Sequence, residues 1–361
     1  MVIRGRPKPL VAGRLRWCEL FTTVGDMDSR RTGQIEPGGQ KGDIMFAYVA
    51  RRLGTALIIV FCVATVVFSA LHLVPGDPVE LLLSGGGGVA PPPEAVAELR
   101  EQLHLDRPVF EQYLGFLERS ARFDLGRSFL DNSEVASQVA SRLPRTLELV
   151  LVALVLALLI GLPSGTWAAY NHNGTIDRTG LAISSFFLSV PVFVIGVALI
   201  YAFSRKLGWF PSGGFVPITD NVLQHFQNLF LPALSIALGL SAIFFRMIRT
   251  TVLETMRRDW VRTAQAKGVR PSRIVRMHVV RNALGPVVTL VGLNAGHMLG
   301  GTVLVEYIFN YPGLSSLLVQ AVEQRDYPIV QGVVLTISVC FVLINLAVDI
   351  IYGSLNPRIR G

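Results

Sequence analysis

The chain has 361 residues, of which 51% are hydrophobic and 16% are charged, and its formal net charge at neutral pH is +8. Soluble domains carry about 25% charged residues, so this composition excludes a disordered chain and a collagen-like repeat and argues against an ordinary soluble enzyme. The basic charge is typical either of a nucleic-acid-binding protein or of a membrane protein with basic cytoplasmic loops, and the hydropathy pattern favours the second.

The first 44 residues mix Gly, Arg and Pro and contain no long apolar run. They therefore lack the apolar core of a signal peptide. Two interpretations stay open for residues 1–44: they form a disordered cytoplasmic tail, or translation begins at Met45, where the membrane pattern starts. Residues 45–361 are predicted to form the transmembrane domain.

Six charge-free stretches are long enough to cross a bilayer, which takes about 20 apolar residues in a helix. Six such stretches cannot all be buried inside a soluble domain of this size. We therefore predict an all-α membrane protein with six transmembrane helices. The predicted spans are 53–71, 149–170, 179–204, 221–245, 282–305 and 328–348.

The long connection between the first two spans, 75–145, is rich in acidic residues and is predicted to lie outside. Its glycine run at 85–88 and its proline run at 91–93 indicate a flexible link followed by a stiffer one. Apolar residues then recur at helical spacing in 94–103 and 110–117. This pattern predicts a small helical external subdomain that rests on the membrane bundle.

The distribution of Lys and Arg predicts the orientation in the membrane. Arginines precede the first span and close the chain, and the segment 246–281 has ten Lys or Arg residues against only Glu254 and Asp259. These segments share one face if six spans alternate. That face is assigned to the cytoplasm, which places both termini there, in a multi-pass protein of the cell membrane.

No motif for catalysis or metal binding is present in the sequence. The three cysteines, Cys18, Cys62 and Cys340, are far apart, and the six histidines form no HExxH pattern. The chain also lacks a GxSxG nucleophile turn and the GxxxxGK[ST] loop that binds nucleotide phosphates. We therefore expect neither an enzyme nor a metal site, and no nucleic-acid partner.

The basic connection 250–284 is predicted to contain an amphipathic helix that ends at Gly268. Its apolar residues recur at helical spacing between arginines, and Pro271 is placed to start a second helix. The helix could lie on anionic lipid headgroups. The preferred interpretation is a rigid helix–Gly–helix elbow that inserts into a cytoplasmic partner. The apolar positions are Leu253, Met256, Trp260, Val261 and Ala264.

The run Trp-Val-Arg-Thr-Ala-Gln-Ala-Lys-Gly at 260–268, followed by Arg-Asn-Ala-Leu at 281–284, resembles the coupling loop of permease subunits in ATP-binding-cassette importers. It is most similar to the peptide/nickel-type (dipeptide/oligopeptide permease) family. The wider family has Glu-Ala-Ala where this chain has Arg262, Thr263 and Ala264, and it has a proline where this chain has Arg281. Further stretches are similar, at 74–78, 142–148, 231–234, 306–314, 325–328 and 349–360.

The resemblance implies a type I importer permease bundle. It also implies the partners: a second permease subunit, two cytoplasmic ATP-binding subunits that use ATP and Mg, and an external solute-binding protein. This chain would need no cofactor of its own. The solute would be a peptide or similar small molecule, with peptide, metal chelate, glutathione and haem-like cargo all open. The implied ATPase-coupling residues are Trp260, Arg262, Thr263, Ala264, Lys267 and Gly268.

The predicted fifth span has features of a helix at the translocation path. Gly292, Gly296 and Gly300 form two overlapping GxxxG units, which permit close helix approach and invite a partner permease. Polar groups at membrane depth are costly and face the bundle or a water-filled cavity. We predict that Asn294, His297, Met298 and Thr302 line the path, with interhelical hydrogen bonding as the alternative.

Three polar residues near the span ends have other predicted roles. Glu306, at the outer end of the fifth span, is predicted to meet the binding protein. Asn345 and Asp349 are predicted to pair within the bundle near the inner surface.

Two other classes of membrane protein compete with the importer. One is an autonomous channel or secondary transporter without ATPase partners, and the lack of a clear inverted repeat argues against it. The other is a membrane scaffold that binds cytoplasmic partners without moving a solute.

Overall fold

The computed structural model describes residues 40–73, 79, 92–102, 106–270, 274 and 280–355. In these ranges the chain is mainly helical and has no β-strand. The helices are α1 Gln40–Leu73, α2 Pro93–Gln102, α3 Val109–Ala121, α4 Val135–Tyr170, α5 Thr175–Ser189, α6 Val192–Leu199, α7 Val222–Met256, α8 Asp259–Ala266, α9 Val280–Gly301, α10 Val303–Ile308, α11 Leu314–Glu323 and α12 Tyr327–Leu355, with a π-helical turn, Ile200–Lys206, directly after α6.

Four of the helices in these ranges, α1, α4, α7 and α12, are long and apolar enough to cross a membrane. They contain the predicted first, second, fourth and sixth spans. The pair formed by α5 and α6 supplies a fifth crossing if the two count as one span. The predicted fifth span, 282–305, corresponds to α9 and the start of α10. The all-α membrane fold is therefore confirmed, and the count of six stays a prediction.

The predicted third span is not one continuous helix. The axis turns by 102° between α5 and the α6 segment, and Val190, directly before Pro191, has an extended backbone (φ −87°, ψ 126°). A proline disfavours helical geometry in the residue before it, which explains the break. Pro163 and Pro232, in contrast, lie inside the unbroken helices α4 and α7. The predicted transmembrane helix 179–204 is therefore broken at Pro191.

The centre of the bundle is α7, which is more buried than the other long helices. It begins at Asn221, whose side-chain oxygen accepts a hydrogen bond from the Gln224 amide over 3.1 Å and caps the helix. Its main neighbour is α4, which approaches closely because Gly161 and Gly165 have no side chain. A Cβ on Gly165 would lie 2.6 Å from the Phe245 carbonyl oxygen.

The core between α4, α7 and α9 is made of apolar side chains with little or no exposure. Close van der Waals contact between such side chains favours packing between helices in a membrane, where the surrounding lipid is itself apolar. Its fully or almost fully buried members are Leu149, Ala153, Ala157, Leu229, Ala233, Ala237, Phe244 and Leu299.

The two short helices predicted between the first and second spans are present as α2 and α3. Phe116 of α3 packs against Phe68 of α1 with ring centroids 5.7 Å apart, in a cluster that also contains Leu335 of α12. A hydrogen bond of 2.7 Å joins the hydroxyls of Tyr113 and Thr65. Helix α3 therefore rests on the bundle as predicted, and its position outside the membrane stays a prediction.

Several predictions fall wholly or partly outside the described residues. Residues 1–39 belong to this group, so both interpretations of the tail stay open, and α1 begins at Gln40, five residues before Met45. The glycine link at 85–88, the start of the second helix at Pro271 and the final motif at 356–360 also lie outside.

Candidate coupling surface and translocation path

The predicted amphipathic helix of the basic connection is α8, and it ends as the sequence indicates. Gly268 has a φ of +77°, the left-handed conformation that glycine adopts without steric cost. The Val269 amide donates to the Ala264 carbonyl (3.2 Å) and the Gly268 amide to the Gln265 carbonyl (2.9 Å). This is the Schellman arrangement, which satisfies the last carbonyls of a helix. The prediction that Gly268 terminates the helix is confirmed.

One side of α8 packs against the chain's own bundle. Val261 is fully buried in a cluster with Ile248 and Val252 of α7 and with Ala169 of α4, and Ala264 packs against the same cluster. These two side chains therefore face the chain's own bundle, and the insertion of the elbow into a cytoplasmic partner stays a prediction. The non-polar side chains of Val261 and Ala264 anchor α8 near the C-terminal ends of α4 and α7.

The other side of α8 is open. Trp260 is 38% exposed, and Arg262, Thr263, Lys267 and Gly268 are exposed as well. Arg262 and Asp259 approach only to 4.0 Å, with both side chains in the open, and such a surface pair contributes little to stability. Five of the six predicted coupling residues thus share one accessible surface, which we call the α8 surface.

The four predicted path residues do not share one environment. Asn294 is half-buried and its side-chain amide donates to the Leu290 carbonyl of its own helix (2.8 Å). His297 is exposed, and its ring meets Phe341 edge to face at 5.7 Å. Met298 and Thr302 are buried within the chain. Of the four, only Asn294 and His297 have appreciable accessible surface, and their contact with a solute stays a prediction.

The small-residue face of α9 packs against α12 of the same chain. A Cβ on Gly292 would overlap the Val348 side chain, and one on Gly296 would lie 2.9 Å from the Phe341 ring and 3.0 Å from the Asn345 amide. The expectation that these glycines receive a second permease is wrong, because α12 already occupies that face. Gly300 has no atom within 4 Å of its would-be Cβ.

Glu306 is fully buried, which contradicts the expectation that it meets an external protein. Its Oε1 accepts hydrogen bonds from the hydroxyls of Thr146 (2.8 Å) and Thr302 (3.2 Å). Its Oε2 accepts from the Ser316 amide (2.9 Å), one of the free N–H groups in the first turn of α11. A buried carboxylate needs such donors, because an unpaired one is very costly. Glu306 therefore joins α4, α10 and α11.

The tight turn after α10 explains much of the motif at 306–314. Asn310 has a φ of +46°, and the Tyr311 amide donates to the Glu306 carbonyl (2.8 Å), which ends α10. Gly313 then lies so close to the Glu306 side chain that a Cβ would stand 2.5 Å from the carboxylate. The motif thus holds Glu306 at the first turn of α11.

A second set of contacts joins the start of α4 to two distant connections. The Arg145 guanidinium donates to the Pro312 carbonyl (3.3 Å) and stands 4.6 Å from the centre of the Phe215 ring. The Tyr311 hydroxyl donates to the Arg145 carbonyl (3.3 Å). Burial raises the pKa of Tyr311, so this hydroxyl keeps the proton that it donates.

His225 of α7 contacts Glu148 of α4, about one helical turn after Arg145. It is almost fully buried, and its ring nitrogens lie 2.7 Å from the Val216 carbonyl oxygen and 2.7 Å from Glu148 Oε1. Beside it lies an open cleft of about 720 Å³. The cleft is lined by Ser141, Pro144, Arg145, Leu147, Glu148, Leu151, Phe215, Pro217, Ile218, Thr219 and His225.

The motifs at 142–148 and 306–314 were visible in the sequence, but their mutual contact was not. Thr146 and Glu306 are 160 positions apart, and nothing local to either motif indicates the other as its partner. The same holds for Glu148, directly before the predicted second span, and His225, within the predicted fourth span.

Two family models match the chain. Residues 161–361 match the family described as "Binding-protein-dependent transport system inner membrane component". Residues 45–150 match the model for the N-terminal part of such membrane components. The second match includes the connection that holds α2 and α3, and the first includes α5 to α12.

Several relatives that are similar over nearly their whole length share a name. The glutathione transport system permease protein GsiC of Escherichia coli O6:H1 (strain CFT073) is 38% identical over 320 residues, covering 88% of this chain and 99% of that protein. The proteins of the same name from Escherichia coli K12 and Shigella flexneri serotype 5b are each 37% identical over the same lengths.

Among solved structures, an inward-facing form of the MetNI methionine ABC transporter is similar in fold. Its matching chain has a TM-score of 0.52 and 20% sequence identity, covering 61% of this chain and 96% of that one. A second crystal form of the same transporter gives a TM-score of 0.50, also at 20% identity. At this identity the likeness establishes the fold.

Proposed function

We propose that this chain, which belongs to the family of inner membrane components of binding-protein-dependent transport systems, forms half of a translocation path and couples it to cytoplasmic ATPase subunits. As a member of that family it is a multi-pass inner membrane protein and a permease subunit of an ATP-driven importer. Neither an autonomous channel nor a scaffold without transport fits this membership.

The proposed complex has a second permease subunit, two cytoplasmic ATP-binding subunits and an external solute-binding protein. ATP and Mg would be bound and used by the ATP-binding subunits, because the present sequence has no phosphate-binding GxxxxGK[ST] loop. The task of this chain is then conformational: its bundle adopts two arrangements, and ATP and the loaded binding protein shift the balance between them.

The proposed solutes are peptides and similarly small molecules. Relatives at 37–38% identity are named as glutathione transport system permeases, and glutathione is itself a short peptide. The resemblance of the coupling loop to peptide/nickel-type permeases supports the same class. We expect the solute to be chosen mainly by the binding protein.

We further propose that residues 45–361 form the transmembrane domain, with residues 1–44 as a dispensable tail. The α8 surface and both termini would face the cytoplasm, as the Lys and Arg of 246–281 indicate. The cleft beside His225 and helices α2 and α3 would then lie on the outer side.

The observation that carries the coupling role is the arrangement of α8. Val261 anchors the helix to the C-terminal ends of α4 and α7, while Trp260 and Lys267 stay exposed. Because tightly packed apolar contacts transmit displacement, a partner that moves the α8 surface would also move the bundle. A partly exposed tryptophan is a residue type that often dominates binding energy at interfaces.

The test is to replace Trp260 by Ala, with Trp209→Ala as the matched control. Trp209 is also an exposed tryptophan, at 61%, but lies in the connection between the π-helical turn and α7. We expect Trp260→Ala to lower co-purification of the ATP-binding subunits and the ATP hydrolysis stimulated by loaded binding protein about tenfold or more. The proposal fails if the two variants behave alike and both match wild type.

A further inference from the structure

Helix α5 is fastened to α7 by a buried ion pair near the inner end of the bundle. Arg249 Nε and Nη2 donate to the two carboxylate oxygens of Asp177, the second bond measuring 2.7 Å. The Asp177 side chain is 2% exposed and that of Arg249 is 16% exposed. A bidentate pair of this kind fixes orientation as well as distance.

The turn between α4 and α5 completes the surroundings of Asp177. The Asn173 amide donates to Asp177 Oδ2 over 2.9 Å, and His172 Nδ1 lies 3.3 Å from the same oxygen. Asn173 holds a positive φ of 64°, a conformation that Asn tolerates better than most residues. The carboxylate thus gathers the start of α5, the preceding turn and α7 at one point.

A second arginine continues the contact along the same side of α7. Arg246, three residues before Arg249, donates to the hydroxyls of Ser184 (3.1 Å) and Ser185 (2.6 Å). Residues three apart on a helix lie on one face. Between these contacts Gly180 lets α5 approach so closely that a Cβ would lie 2.6 Å from the Phe245 ring. Helix α5 is therefore held against α7 over about two turns.

The same segment of α7 also holds the coupling helix. Ile248 and Val252 flank Arg249 in sequence, and both belong to the cluster that buries Val261 of α8. One short stretch of α7 therefore binds α8 through apolar contacts and α5 through Arg249. Apolar contacts have no preferred direction, whereas the bidentate pair sets the register between α5 and α7.

We propose that Asp177 and Arg249 form a positioning pair that makes α5 follow α7 when α8 is displaced. Helix α5 runs to the break at Pro191, where the chain turns by 102°. A displacement that reaches α5 therefore alters the geometry of the broken third span. This inference rests on the proposed function, and it names the connection by which the α8 surface reaches this part of the bundle.

The first test compares Asp177→Asn and Arg249→Lys with wild type in the complete importer. Both changes remove the bidentate pair while keeping similar size. We expect ATPase attachment and stimulated hydrolysis to stay within about threefold of wild type, and the solute taken up per ATP to fall about tenfold. A merely structural role would lower uptake and hydrolysis together and leave their ratio unchanged, which would overturn the proposal.

The second test keeps the pair intact and asks whether α5 and α7 separate. Cysteines replace Ser185 and Arg246 in a chain whose three native cysteines are serine, and a short bifunctional thiol reagent joins them. Unchanged uptake after cross-linking supports joint movement of α5 and α7. Uptake that is normal before cross-linking and lost after it overturns the proposal. This test does not depend on the Asp177→Asn variant, so it holds even if that variant fails to insert into the membrane.

These outcomes differ from a failure of the proposed function. Loss of ATP-dependent uptake in wild type, or normal attachment in Trp260→Ala, would contradict the coupling role of the α8 surface. An unchanged ratio of uptake to hydrolysis in Asp177→Asn, with wild type active, would contradict only the positioning pair.

Discussion

Gly313 shows how a single missing side chain can fix a buried carboxylate in place. Its backbone (φ −96°, ψ −173°) is open to any residue, so steric contact alone determines the requirement for glycine. A Cβ would stand 2.5 Å from the Glu306 carboxylate and would push it away from the Ser316 amide. Loss of this bond leaves buried polar groups without partners.

Gly313→Ala is therefore predicted to destabilise the chain by about 1–3 kcal/mol. The measurement is the thermal unfolding midpoint of the detergent-solubilised protein. Gly115→Ala is the control, because Gly115 lies in helix α3 with nothing within 4 Å of its would-be Cβ, and alanine is the better helix former by about 1 kcal/mol. Equal midpoints for the two variants would contradict the proposed contact.

Glu306→Gln is predicted to weaken the junction of α4, α10 and α11. In the glutamine side chain an NH2 group replaces one carboxylate oxygen, so a donor would face the hydroxyl or N–H donor that this oxygen now accepts from. Hydrogen bonds to charged groups are worth about 1.5–3 kcal/mol. Glu134→Gln is the control, since Glu134 is exposed and pairs with Arg127 only at 3.4 Å, an interaction worth at most about 1 kcal/mol. A midpoint for Glu306→Gln no lower than that of the control would refute the expectation.

At the scale of single residues, the sequence predicted those features that depend only on neighbouring positions in the chain. The left-handed turn at Gly268 follows from its place at the end of an amphipathic run, and the structure confirms it. The burial of Glu306 and the direction in which Ala264 faces depend on residues more than 80 positions away along the chain, such as Thr146 and Ala169. No pattern within either segment contains that information.

At the scale of helices, the contact of α9 with α12 supports a test by exchange of side-chain size. Gly292→Ala is predicted to lower the membrane abundance of the chain, because the new Cβ overlaps Val348, and a β-branched side chain has few other rotamers in a helix. The double variant Gly292→Ala/Val348→Ala should recover abundance. Gly300→Ala is the control, with free space around the new methyl group. Failure of the second substitution to rescue would argue against this packing.

Coupling through α8 also yields a prediction at this scale. Gly268 has free space around it, so substitution there acts through backbone strain alone, about 1–2 kcal/mol for a residue with a Cβ. Gly268→Val should reduce stimulated ATP hydrolysis and uptake more than Gly268→Asn, because Asn tolerates the left-handed conformation. Ala264→Glu should in addition lower the stability of the chain, since Ala264 packs against its own bundle. Equal hydrolysis in the Val and Asn variants would count against the turn as a coupling element.

Helix boundaries show which parts of the fold hydropathy can predict. The apolar runs located the long helices of the described residues, because each must bury or present an apolar surface about 20 residues long. They did not locate the break at Pro191. Pro163 and Pro232 lie within continuous helices, so the presence of a proline does not by itself determine whether a helix breaks. The outcome depends on neighbours that can satisfy the freed backbone groups, and neighbours are a tertiary property.

At the scale of the whole molecule, two groups of contacts lie at opposite ends of the long helices. Arg145 of α4 contacts the turn after α10, Thr146 contacts Glu306 of α10, and Glu148 contacts His225 of α7. Asp177, Arg249 and Val261 join α5, α7 and α8. Helices α4 and α7 connect these groups, and their close packing along the glycine face of α4 makes them a stiff unit. Displacement at one end can therefore reach the other.

The proposed orientation makes one last prediction, because it places the two groups on different sides of the membrane. Cysteines are introduced singly at Phe110 of α3, which is 68% exposed, and at Arg270, an exposed residue four positions after the end of α8. The three native cysteines, Cys18, Cys62 and Cys340, are first replaced by serine.

Positive charge flanking spans is retained on the cytoplasmic side, so Arg270→Cys should stay unlabelled by a membrane-impermeant thiol reagent in intact cells with a permeabilised outer envelope. Phe110→Cys should react in the same cells. After disruption of the inner membrane both positions should react, which controls for accessibility. The reverse pattern in intact cells would invert the orientation and place the α8 surface outside, where no ATPase could bind it.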